Sequence, residues 1–394
     1  MQSEWQKKYD KVRTITPSKQ IRIRTTPSPE RPIKMKFAQS PVQALYTAST
    51  KATAILPLQN EHKYTMPETR QGCRAIELSN QLGIVIGGHS HRESLEFNFM
   101  DLQNGQWMQK QQFQEWEYLK QRMKENDTRL GSHFSLNYDA EEQTIYCFGG
   151  ERIQGVRRQI NILSQIKNHQ IQQFAICGIG ARRNHTSTLM DNQLIIIGGF
   201  EIMNTKPNYY GDIQSINLST MRSTQLLKQF MKNGLAYHQV IRVYKKNQYF
   251  EEKENGIYLF GGKDQEDNFN GDLIQIVIGN QVQVNVVQTV GQQPKARRNF
   301  TMNYDENSQC IIIFGGMNDF EIFEDLYTLN IQSKIWCNVQ LSGYLNLKAR
   351  YDHCSLYSNE KLIIFGGLNE FGYILFNPIL INLKLKRQKL NHQE

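Results

Sequence analysis

No apolar run in this 394-residue chain approaches the roughly 20 residues that cross a bilayer as a helix. A membrane-spanning helix is therefore not expected. The opening residues, MQSEWQKKYDKV, lack the apolar core of a secretory signal, and the early Glu4 and Asp10 speak against a transit peptide. Cysteine is sparse: six residues, at 73, 147, 177, 310, 337 and 354, with no C-x-x-C pair. Without a secretory signal they read as reduced thiols, which points to an intracellular, cytoplasmic protein. Also missing are a nucleophile–base pattern and a glycine-rich nucleotide turn that opens a helix. On those absences neither an enzyme nor a cofactor is expected.

Acidic residues are scarce at the N-terminus. Residues 1–36 hold ten Lys and Arg against Glu4, Asp10 and Glu30, so this stretch supplies +7 of the formal +9. It carries Thr16-Pro17, Thr26-Pro27 and Ser28-Pro29, with Ser40-Pro41 just beyond. Proline holds each preceding residue extended, and little here could build a core. Residues 1–52 therefore read as a disordered, basic Ser/Thr-Pro arm. It is either an electrostatic clasp for an acidic protein tail, membrane surface or nucleic acid, released by phosphorylation, or a solvated tail with no fixed partner. The second reading is preferred, because charge runs are common in disordered ends.

What the chain has in abundance is one repeated signal. Diglycines stand at Gly87-Gly88, Gly149-Gly150, Gly198-Gly199, Gly261-Gly262, Gly315-Gly316 and Gly366-Gly367, each after an apolar run such as LGIVI, LIII or CIIIF. Their first glycines lie 62, 49, 63, 54 and 51 residues apart. That period, with β-type composition, predicts the blades of a propeller. Continuous apolar runs fit strands buried on both faces between neighbouring blades. Glycine there would turn the chain sharply and let an aromatic side chain of the next blade approach closely.

Further features recur around each pair. An entry stretch precedes five of the apolar runs: Arg70-Gln-Gly-Cys73, Arg129-Leu-Gly-Ser-His133, Arg182-Arg-Asn-His185, Arg297-Arg-Asn-Phe300 and Arg350-Tyr-Asp-His353, whereas the fourth unit keeps only His238. A third strand opens on an acid at Asp212, Asp272 and Asp325, and two units place an acid, an Asp or Asn, and a Trp at equal offsets: Glu96/Asp101/Trp107 and Asp325/Asn330/Trp336.

This pattern resembles the Kelch repeat, which joins Arg-x-x-His, an apolar strand, Gly-Gly, Asp-apolar-Tyr and a later Trp, and it runs here from about Arg70 to Asn382. The resemblance implies an all-β, six-bladed Kelch-type β-propeller over residues 53–390. It also implies ring closure by a strand from one chain end. Ile55-Leu56-Pro57-Leu58 is the preferred outer strand of the last blade, and Leu383 to Leu390 competes with it. Two insertions depart from the compact repeat: Gln114 to Asp127, read as a short helix, and Tyr244 to Asn255.

A propeller offers a rigid rim of loops for recognition. Arg129, Arg182, Arg183, Arg297, Arg298 and Arg350 recur at the entries to the inner strands, and planar guanidinium groups suit carboxylates or phosphates. Kelch propellers of ubiquitin-ligase adaptors hold acidic peptides through rim arginines, so the resemblance implies a similar use for Arg129, Arg183, Arg298 and Arg350. The competing reading has the first arginine of each motif paired with Asp212, Asp272 or Asp325, which leaves Arg183 and Arg298 as the better ligand contacts. The expected function is a non-enzymatic protein-interaction scaffold, possessing a protein partner with an acidic or cytoskeletal character, no nucleic-acid partner for the propeller, and a monomeric state. Two alternatives stand beside it. One is a substrate receptor of a ubiquitin ligase, for which no BTB or F-box pattern is visible. The other is a metal enzyme like galactose oxidase, for which His89-Ser-His91 is the sole weak ligand candidate.

Overall fold

In a computed structural model of the protein, the structure describes residues 52–55, 70–79, 81–90, 93–154, 156–244, 254–342, 348–375 and 378–385. The basic arm lies outside the described residues except at Ala52, where a strand already begins. Among the described residues, six sheets built on four antiparallel strands follow one another along the chain, with strands numbered here from the axis outwards; blades 5 and 6 each add a short parallel outer strand, Val290–Gly291 and Leu341–Ser342. Blade 1 is Arg74–Ser79, Leu82–Ile86, Phe97–Asp101 and Gln106–Trp107; blade 2 is Ser135–Asp139, Thr144–Phe148, Ile162–Lys167 and Gln170–Ala175. Blade 3 is Thr186–Met190, Gln193–Ile197, Ile213–Asn217 and Arg222–Leu227; blade 4 is Ala236–Val243, Gly256–Lys263, Leu273–Ile278 and Val282–Val287. Blade 5 is Thr301–Asp305, Cys310–Phe314, Leu326–Asn330 and Ile335–Asn338, and blade 6 begins Tyr351–Ser358, Lys361–Leu368, Ile379–Leu383.

The fourth strand of blade 6 comes from the other end of the chain. Ala52–Ile55 runs antiparallel to Ile379–Leu383, with Ala52 opposite Leu383 and Ile55 opposite Leu380. The N-terminal origin of this strand agrees with the sequence reading, but the segment sits three residues earlier; Leu56 to Leu58 lie outside the described residues. Leu383 ends the third strand instead of starting a fourth. Each first strand lies beside the first strand of the next blade, and Tyr351–Ser358 lies beside Arg74–Ser79, so the ring is closed.

The second strands carry the apolar runs because both of their faces are buried. Along Leu194-Ile195-Ile196-Ile197, Leu194 and Ile196 pack into the wedge shared with blade 2, and Ile195 and Ile197 into the wedge shared with blade 4. Six such wedges make the core, and each joins two neighbouring blades. Burying one such Ile or Leu contributes about 1.5–3 kcal/mol. The two tryptophans at matching offsets do matching work. Trp336 packs on Phe260 of blade 4, and Trp107 on Phe365 of blade 6, each with ring centroids 5.5 Å apart.

All twelve diglycine residues have positive φ, between 58° and 94°. At Gly198 a Cβ would lie 2.3 Å from the Leu235 carbonyl oxygen and 3.0 Å from the His238 ring, both in the next blade. The second glycine of five pairs donates its N–H to that next blade, as Gly199 does to Leu235 O at 2.8 Å. The diglycine is thus a turn and a blade-to-blade joint, and among the described residues no helix begins at it.

The Gln114 insertion is helical, as expected: α1 spans Gln114–Glu125. Its acids Glu115 and Glu117 sit in the first turn and Arg122 and Lys124 in the last, in line with the helix dipole. Leu119 and Met123, one turn apart, are buried in the wedge between blades 1 and 2, while Phe113 stacks on Phe99 at 3.8 Å. Of the second insertion, residues 245–253 lie outside the described residues.

Candidate functional site

The entries to the first strands, the diglycines and the loops from second to third strands all lie at one end of the axis, because consecutive strands are antiparallel. At this end one residue from each blade forms a ring: Gly72, His133, Asn184, Tyr237, Asn299 and Asp352. All six have positive φ, from 51° to 65°. Backbone N–H groups link the ring from blade to blade: His133 to Gly72 O (2.9 Å), Asn184 to His133 O (3.1 Å), Tyr237 to Asn184 O (2.9 Å), Asn299 to Tyr237 O (3.4 Å) and Asp352 to Asn299 O (2.9 Å). Beyond it runs an axial cavity of about 330 Å³, lined by residues of all six first strands.

This ring corrects the register of blade 2. Gly131, not Arg129, accepts the diglycine N–H of the preceding blade, and so stands where Arg182 and Arg297 stand. His133 is a ring residue, and Phe134 takes the place that His185, His238 and His353 hold. Arg129 is a half-exposed side chain paired with Asp127 (2.9 Å) and Glu93 (3.6 Å).

The first arginine of each motif is a strut. Arg182 is fully buried and grips Asp212 with two hydrogen bonds, at 2.7 and 3.1 Å, while donating to Gly198 O at 2.9 Å. Arg297 repeats this with Gly315 O at 2.9 Å and the Asp325 carboxylate. In blade 4 Leu235 replaces the arginine, and Asp272 has no such partner among the described residues. Arg350 corrects a rim assignment: it is 3% exposed and donates to Gly366 O at 3.1 Å, out of reach of a docking partner. Pro378 stands where an acid would pair with it, and burial alone pulls its pKa down to about 10.

Three histidines tie blades together while neutral. His185 Nε2 lies 2.9 Å from Ser135 Oγ, His238 Nε2 2.8 Å from Thr186 Oγ1, and His353 Nε2 3.1 Å from Thr301 Oγ1, each in the preceding blade. Burial pushes His238 down to about 3, burial and the Arg350 charge do the same for His353, and His185 falls well below the usual value for like reasons. His133 is different. Burial opposes its charge, but Asp352 at 2.9 Å and Glu151 at 3.4 Å outweigh burial and raise its pKa. Asp352 is correspondingly held low, His133 outweighing burial.

Around this charged mouth, Arg183 is paired with Glu151 and lies over the Phe200 ring at 4.7 Å. Arg298 lies over Tyr237 at 5.4 Å and has no carboxylate partner among the described residues. The outer part of this face is not among the expectations drawn from the sequence. Two hairpins rise beyond the diglycines of blades 2 and 3, Glu151–Gln154 with Val156–Gln159 and Phe200–Met203 with Lys206–Tyr209. Their one readable cue was Asn204-Thr205, a turn with positive φ at both residues. Exposed apolar side chains crown the same face: Ile202 and Met203 in blade 3, Phe320 (94% exposed) in blade 5, and Phe371 and Tyr373 (70% each) in blade 6. His89 lies 5.8 Å from His133, ring to ring, and His91 falls outside the described residues. Among the described residues no three His, Cys, Asp or Glu side chains converge as metal ligands.

Six blades closed into a ring with diglycine joints, and Arg–Asp struts in blades 3 and 5, make a β-propeller of Kelch-type repeats. Residues 251–392 match the family model described as the KLHDC2/KLHL20/DRC7 Kelch-repeats domain. Among solved structures, the chain is similar to one titled "Structure of YjhT", at 14% identity and a TM-score of 0.58, over 81% of this chain and 96% of that one. That likeness is one of fold. No curated protein matches the chain.

Proposed function

We propose that the protein is a non-enzymatic interaction scaffold, and that the diglycine end of its propeller docks a protein partner through an acidic segment. The observation that carries this reading is the grouping of five exposed large apolar side chains on the second-to-third-strand loops of one face, around a mouth that holds Arg298 without a carboxylate. Exposed apolar groups beside polar ones mark interaction surfaces, and aromatic and arginine anchors dominate binding energy there. Arg298 would meet the acidic segment, with Arg183 as a second contact once Glu151 releases it. The described Arg129 and Arg350 contribute less, the first through its two carboxylates and the second through burial.

Affinity recovery of partners by the full chain tests this. Phe320→Ser/Phe371→Ser/Tyr373→Ser and Arg183→Ala/Arg298→Ala should each lose partners that Val286→Ser, on an outer strand, retains. Recovery unchanged by both sets would refute the reading, as would loss of partners only when residues 1–48 are removed.

A further inference from the structure

The three His···Ser/Thr ties have a chemical variant at one junction. The His position of blade 1 is Cys73, and the Ser/Thr position of blade 6 is Cys354. Their Sγ atoms lie 3.0 Å apart, both side chains are buried, and 281 residues separate them in sequence. This junction is also the one where the two ends of the repeated chain meet. Among the described residues it lacks the ring hydrogen bond that would join Gly72 to Asp352, which the other five junctions have. The junction without a backbone ring bond therefore coincides with a thiol pair in place of a His···Ser/Thr hydrogen bond.

We propose that Cys73 and Cys354 are an oxidation site, a reversible covalent latch that locks the first blade to the last. Cys354 lines the axial cavity, which brings a small peroxide to the pair. The Cys73 thiolate attacks one peroxide oxygen; an S–O bond forms, the O–O bond breaks, and hydroxide leaves to become water. The Cys354 sulfur then attacks the sulfenic sulfur; the S–S bond forms, the S–O bond breaks, and the departing hydroxide takes the Cys354 proton. Two thiols and one hydrogen peroxide give one disulfide and two waters, and a small dithiol reverses the change. The local field suits these roles. The hydrogen bond from Cys354, with the Arg70 and Arg74 charges, lowers the Cys73 pKa against burial, whereas burial raises Cys354. Burial alone raises Cys147 and Cys337, and it outweighs the hydrogen bonds at Cys310. The latch is independent of what docks on the rim.

The test treats the full chain with hydrogen peroxide, alkylates remaining thiols, and digests with trypsin without reduction. The expected product links Gln71–Arg74 to Tyr351–Lys361 and weighs two hydrogens less than the separate peptides. The melting midpoint should rise by roughly 8 °C, since the bond closes a very long loop, and a dithiol should restore it. Cys73→Ser and Cys354→Ser should each abolish both effects; should a variant not fold, the wild-type peptide map decides. Alkylated Cys73 and Cys354 after peroxide, with disulfides only at the exposed Cys177, would overturn the proposal. So would a linked peptide with no change in melting.

Discussion

Asp212→Ala is the sharpest test of how the blades are held. The carboxylate it removes takes two hydrogen bonds from Arg182 and one from Gln214 at 2.8 Å. Arg182 has no exposed surface, so the variant leaves a guanidinium in the interior with the Gly180 and Gly198 carbonyls and the Tyr210 face, 3.9 Å away. Breaking a buried pair on one side costs about 3–5 kcal/mol, because the survivor keeps its desolvation penalty. For a propeller of this size, an unfolding entropy of roughly 2 cal/mol/K per residue turns that into a midpoint about 4–7 °C lower. The double variant Arg182→Leu/Asp212→Leu should lose less than Asp212→Ala, since Leu235 already fills the equivalent place in blade 4. Thermal and urea unfolding of wild type, Arg182→Leu, Asp212→Leu and the double variant complete the cycle. A loss under about 1 kcal/mol for Asp212→Ala, or a double variant that shows the sum of the singles, would refute the strut argument.

Two further outcomes follow from the same geometry. Gly262→Val should destabilise the fold by at least about 3 kcal/mol, because Gly262 has a φ of 90° and a Cβ there would meet the Ala236 carbonyl oxygen at 2.7 Å; a melting curve equal to wild type would contradict it. His238 and His353, depressed to about 3, add stability that is full above their unfolded pKa near 6.5 and lost as pH falls towards 3, about 2 kcal/mol each at pH 5. His133, with a raised pKa, has the opposite sign: its contribution is full below 6.5 and fades as pH rises through its folded value. His353→Phe, which copies Phe300 of blade 5, should therefore shrink the fall in melting midpoint between pH 7 and 5, and an unchanged slope would exclude His353 as its source.

The blades were legible because diglycine and apolar runs are local signals repeated six times. The register of blade 2 was not. There Arg129 and His133 imitate the motif at the wrong offset, whereas Gly131 and Phe134 fill its real places without resembling it. The first arginines were readable as struts at Arg182 and Arg297, where the acids Asp212 and Asp325 survive, and unreadable at Arg350, where Pro378 interrupts the pattern. The thiol pair was hidden for a different reason. Only a ring closed between its ends brings positions 73 and 354 together, and spacing along the chain carries no trace of that.

At the mouth the backbone repeats from blade to blade while the side chains do not. A left-handed conformation suits Gly72 and is tolerated by Asn184, Asn299 and Asp352, but His133 and Tyr237 adopt it at a cost of about 1–3 kcal/mol each. Neither residue recovers that cost through the apolar core. His133 instead turns towards Asp352 and Glu151, and Tyr237 sets its ring beneath Arg298 and beside Phe200. Exchanging either for Asn would relieve the backbone and remove the side chain that organises the charges at the mouth. Tyr237→Asn should hold or raise the melting midpoint while weakening partner recovery, since Arg298 loses the surface that orients it. A variant both more stable and fully competent in recovery would detach the strained ring from the docking face.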